Sequence, residues 1–113
     1  MKRHAWVQEF AGAVTVADQK GKIIEMNAQA VRTFEKDGGE KLIGRNVLDC
    51  HPEPAQVKLR HLLDTHEANV YTIEKAGIKK LVYQAPWYQE GKVAGVVELA
   101  VEIPFELPHF IRD

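Results

Sequence analysis

The sequence contains no serine, only one cysteine, and no unbroken apolar run longer than a few residues. Each absence closes a route. Without serine there is no Ser–His–Asp triad and no nucleophile elbow. A single thiol excludes an intrachain disulfide framework and any paired-cysteine zinc site. The apolar runs fall far short of the ~20 residues a helix needs to cross a bilayer. The basic start, Met1-Lys2-Arg3, is not followed by the apolar stretch of a signal peptide. No phosphate-cradling glycine loop and no H-E-x-x-H appear, and His4, His61, His66 and His109 have no metal-ligand spacing. Charge of one sign is missing too. Fifteen Lys and Arg stand against 16 Asp and Glu, a net charge of −1, which gives no field for nucleic acid or an anionic membrane. The expectation is a non-catalytic, cytoplasmic module that binds neither.

What is present suffices for one core. A chain of 113 residues is one domain rather than two. Leu, Ile, Val and Phe make up 31 of those residues, above the range of disordered chains. Trp6 and Phe10 share a face at i and i+4, so residues 4–11 read as a short helix. Val14 and Val16 then alternate with Thr15 and Ala17. A turn at Asp18-Gln19-Lys20-Gly21 leads to a second alternating piece, Lys22 to Met26, which predicts a hairpin. Asn27 is placed to cap a helix bearing Ala30, Val31 and Phe34, stopped by Gly38-Gly39. His51 and Glu53 precede prolines and read as an extended link. From Pro54 onward Ala55, Leu59, Leu62, Leu63 and His66 form one apolar stripe, and His61 falls on the polar side. The last third reads as three strands, 69–75, 78–88 and 92–103, joined by Ala76-Gly77 and Glu90-Gly91. Loops so short force an antiparallel meander in an α+β domain.

Gly21-Lys22-Ile23-Ile24-Glu25-Met26-Asn27-Ala28-Gln29-Ala30, followed by Leu42-Ile43-Gly44-Arg45-Asn46-Val47-Leu48-Asp49, resembles the PAS domain pattern G-x-I-x-x-x-N-x-x-A … L-I-G-[KR]-x-x-x-D. The similarity runs over roughly residues 4–103. It implies a five-stranded antiparallel sheet of order 2-1-5-4-3 with helices packed on one face. It divides the chain into an N-terminal helix (1–12), a PAS core (13–103) and a tail (104–113). The resemblance also implies a sensory or interaction module whose ligand space lies between sheet and helices. Fold alone does not decide among ligands, so the site must.

The pocket candidates on the first half of the chain are Met26, Phe34, Leu48, Cys50 and His51. Leu59, Leu62, Tyr83 and Leu99 complete them. Flavin photosensors of this family carry a cysteine directly after G-x-N; here Val47 follows Gly44-Arg45-Asn46, which argues against flavin. Heme remains as an alternative through His51, with Cys50 beside it as a redox-sensitive neighbour. The bland reading makes Cys50 a small buried hydrophobe and His51 a loop hydrogen-bonder, since neighbours in an extended link point apart. For a homodimer the candidates are Trp6, Phe10 and Val96, with Val96 and Ala94 expected on the outer sheet face. Pro104 and Pro108 prevent a continuous helix after the last strand. The chain therefore either stands alone or was cut from a longer one, and its tail folds back or meets an effector protein.

Overall fold

A computed structural model describes residues 5–46, 60–62 and 64–113. Five antiparallel strands form one sheet in the order β2-β1-β5-β4-β3: β1 (Ala13–Asp18), β2 (Ile23–Met26), β3 (Asn69–Lys75), β4 (Ile78–Gln89) and β5 (Lys92–Ile103). This is the expected order, and 69–75 and 92–103 match the expected bounds of their strands. α1 (Ala5–Gln8) precedes the sheet, and α2 (Ala28–Thr33) continues into two single 3-10 turns ending at Leu42.

Local chemistry explains each boundary. The Asp18 carboxylate accepts from the Lys20 and Lys22 amides, both at 2.9 Å, and so builds the β1–β2 turn. Asn27 caps α2 through Oδ1, 3.0 Å from the Ala30 amide. α1 is shorter than the expected 4–11 span because the Val7 carbonyl, which would accept from Ala11 in a longer helix, accepts from Phe10 N and from Asn27 Nδ2. At Ala76-Gly77 and at Glu90-Gly91 both turn residues have positive φ, the twist that joins strands tightly. Pro86 is tolerated because β3 pairs with β4 only as far as Gln84, which leaves the far side of β4 open beyond it.

The core lies between α2 and the β1–β2 side of the sheet. Ala13, Ile23, Met26, Ala30 and Leu42 are buried together, with Val31, Phe34 and Ala100 packed against them. Ala30 is 0% exposed. Small residues at Ala13 and Ala100 let so short a helix approach the sheet closely. That requirement sets the phase of every strand, and it reverses one expectation. Pairing places Val96, Glu98, Ala100 and Glu102 on the helix-facing side, and Val97, Leu99, Val101 and Ile103 on the outer side. Val96, read from the sequence as a residue of the outer face, is 6% exposed and turned inward. A bulge accompanies the reversal: Tyr88 pairs with Val93 but Trp87 pairs with Gly95, so Ala94 has no partner and the strand changes face there.

Gly95 is required where it stands. A Cβ there would collide with the Ala17 carbonyl oxygen across β1. Trp87, opposite Gly95, reaches over β5 and donates Nε1–H to that same oxygen at 2.9 Å.

Candidate functional site

The helix-facing side of the sheet carries an unusual row. Asn69, Gln84, Glu98 and Thr15 lie directly opposite one another on β3, β4, β5 and β1, and the row ends at Met26 on β2. From Asn69 to Thr15 it spans three strand spacings, about 14 Å. Apolar rows flank it on both sides: Val82, Ala100 and Ala13 on one, Pro86, Val96 and Ala17 on the other. A polar stripe on the buried side of a small sheet runs against hydrophobic patterning, and such departures concentrate at functional sites.

The stripe is wired in one direction. Asn69 Nδ2 donates to Gln84 Oε1 at 2.9 Å, and Gln84 Nε2 donates to Glu98 Oε1 at 2.9 Å. A carboxylate only accepts, so Glu98 dictates which way the Gln84 amide points, and Gln84 in turn orients Asn69. Gln84 is 2% exposed and Thr15 is buried, while Asn69 and Glu98 are half-buried. Tyr71 faces the same side, one row along, opposite Val82. Burial pushes its phenol above the ordinary tyrosine range, and the nearby Glu98 charge adds to the rise.

The residues expected to line a pocket separate into four groups. Met26 and Phe34 come together in the core on the helix-facing side. Leu62 is also buried, in the helical stretch 60–62. Tyr83 and Leu99 pair with each other on the outer face, beside Val14, so they cannot share a pocket with Met26. Both strands turn their other face, with Val82 and Ala100, toward the helices, contrary to the pocket placement expected for Tyr83 and Leu99. Leu48, Cys50, His51 and Leu59 lie outside the described residues. Among the described residues no group of three or more His, Cys, Asp or Glu is placed to hold a metal ion. His61 is exposed beside Glu67, 3.9 Å away. The His66 backbone N–H bonds Leu62 O at 2.8 Å from a left-handed residue.

The outer face is the more apolar one. Val14, Val16, Leu81, Val97, Leu99 and Val101 lie on it and are half-buried. Phe10 reaches its margin: a Cβ on Gly12 would meet both the Phe10 ring and Val101 Cγ1. Trp6 stacks edge-on against Phe10, with ring centroids 6.4 Å apart, and remains 69% exposed.

This architecture recurs among solved structures. The chain superposes on the PAS domain of a protein from Colwellia psychrerythraea with a TM-score of 0.68, 20% identity, and coverage of 89% of this chain and 93% of that one. The chain has the PAS fold. A sensory box sensor histidine kinase from Vibrio cholerae matches at TM-score 0.61 and 18% identity, covering 89% of this chain and 88% of that chain. The Aer2 receptor of Vibrio cholerae, described as a dual PAS-heme oxygen sensor, matches at TM-score 0.59 and 15% identity, over 82% of this chain and 95% of that one. No family model and no curated protein sequence matches the chain. In this PAS fold no helix among the described residues is long and apolar enough to cross a membrane.

Proposed function

We propose that this chain is a non-catalytic sensory module of the PAS type, working in the cytoplasm, that holds a small ligand against the helix-facing side of its sheet and passes the bound state to a partner. The observation that carries the reading is the polar row Asn69–Gln84–Glu98–Thr15. Gln84 is buried and Asn69 and Glu98 are half-buried, so this row gives up hydration that an apolar row would not have to replace with hydrogen bonds. A ligand-reading surface needs a few polar groups on an apolar floor. The resemblance to domains of sensor kinases and of a heme receptor supports a signalling role.

We further propose that the output runs through a homodimer. The exposed aromatic pair Trp6–Phe10 and the valine-rich outer face give an apolar surface of the kind dimers bury. An effector protein would then read the paired state.

Native mass spectrometry of the protein as purified tests the ligand reading: a retained non-covalent molecule supports it, and bare protein from several expression hosts counts against it. Sedimentation at micromolar concentrations tests the dimer. A monomer at every concentration, with Leu99→Lys leaving the profile unchanged, would sink it.

A further inference from the structure

The wiring of the polar row also limits what it can recognise. Asn69 and Gln84 each spend one N–H along the row in the direction of Glu98. Each keeps a second N–H, and the hydroxyls of Thr15 and Tyr71 can donate or accept. Charge is different. The only formal charge in the row is Glu98, and one of its oxygens is engaged by Gln84. No Lys, Arg or His among the described residues forms an ion pair with it. The nearest basic residue on that side of β4 is Lys80, which stands opposite Glu102 two rows away, about 13 Å along the strand. Approaching anions meet a negative carboxylate with low-dielectric flanks, where repulsion is poorly screened. A planar cation with two N–H groups meets the geometry that a carboxylate binds best.

Resting on the ligand-sensing reading above, we propose that Glu98, oriented by Gln84 and Asn69, selects a compact ligand with a protonated nitrogen or paired N–H donors, of the amidine or aromatic-amine class. Thr15 and Tyr71 border the same spot, and Val82 and Ala100 supply the apolar floor under the ligand body. Carboxylate and phosphate ligands are excluded by the same charge.

Three molecules of one shape isolate the charge: benzamidine (cation), benzamide (neutral) and benzoate (anion), each titrated at millimolar concentration into the wild-type protein at pH 7. The readouts are the side-chain amide signals of Asn69 and Gln84 in nitrogen-15 spectra, with thermal melting alongside. The expected result is movement of both amide signals by benzamidine, with binding at least fivefold tighter than for the other two. Glu98→Gln should bring the three within twofold of one another, whereas Glu98→Asp should keep the order. The wild-type comparison needs no variant, so misfolding of either substitution does not spare the proposal. Benzoate or benzamide binding as tightly as benzamidine would overturn the charge rule and leave ligand sensing standing. Amide signals unmoved by all three would overturn it too. Ligand sensing would then survive only if native mass spectrometry had found a retained molecule.

Discussion

Gln84 donates its side-chain amide to the Glu98 carboxylate at 2.9 Å, and the two residues face each other across adjacent strands on the helix-facing side of the sheet. Burial, and after it the Glu98 charge, raises the phenol of nearby Tyr71 above its ordinary range.

Tyr71 gives a pH dependence with a definite sign. Its folded pKa lies above the unfolded value of about 10, so its contribution to stability is fully present below pH 10. As pH rises through the folded value, the unfolded chain has already released its proton and the contribution disappears. Alkaline unfolding of the wild type should therefore begin earlier than that of Tyr71→Phe. In an absorbance titration of tyrosinate, Glu98→Gln should lower the Tyr71 midpoint only part of the way, because burial is the larger cause. A midpoint unchanged by Glu98→Gln would show that the carboxylate does not reach the phenol.

Asn27 should be the costliest polar residue to remove. It is 1% exposed and makes four side-chain hydrogen bonds: Oδ1 accepts from Val14 N and Ala30 N, while Nδ2 donates to Val7 O and Gly12 O. Losing a cap costs about 1 kcal/mol, and orphaning further buried groups adds about 1–3 kcal/mol. Asn27→Ala should lose about 3 kcal/mol in urea melts. Asn27→Asp keeps the accepting side and should lose less, while amide exchange rises in residues 5–12. Equal losses in the two variants would contradict this division.

Gly95 and Trp87 can be separated by size of effect. Gly95→Ala forces a methyl into the Ala17 carbonyl and must push β1 from β5, so a loss of 2 kcal/mol or more, about the upper range of overpacking, is expected. Trp87→Phe keeps the ring but abandons the bond to Ala17 O, worth about 1 kcal/mol. Thermal melts of both variants check the order.

Heme makes a sharp contrast with the proposed ligand. A porphyrin offers apolar faces, and seating one on Glu98 would desolvate the carboxylate without a compensating donor. Hemin added to the purified protein should therefore give no Soret band that His51→Ala abolishes. A sharp band lost in that variant would favour the heme alternative over the amidine-type ligand.

Much of the fold was legible because local chemistry dictated it. The Asp18 turn, the Asn27 cap and the two-residue turns at Ala76-Gly77 and Glu90-Gly91 all act over a few residues, and all were visible in the sequence. The first of those two-residue turns even fixes the Asn69–Gln84 pairing. Glu98 was hidden by one residue. Counting back from the turn at Glu90-Gly91 would set Gln84 opposite Val97; the unpaired Ala94 shifts the ladder and brings Glu98 there instead. Alternation in β5 gave two self-consistent faces and no local means of choosing between them. The choice came from packing against α2, which gathers Ala13 and Ala100 with Ala30 in the core and so makes their side of the sheet the inner one. That is a tertiary requirement, which alternation alone does not reveal for Leu99, Tyr83 or Val96.

The Asn27 amide has a mechanical consequence as well. It is planar and gripped on both edges, by α2 and β1 on the oxygen side and by the N-terminal segment on the nitrogen side. It cannot tilt on one edge alone. Any motion that lifts the start of α2 must drag Val7 with it or break the plane's hold, so α2 and the Trp6–Phe10 aromatic pair are linked in series.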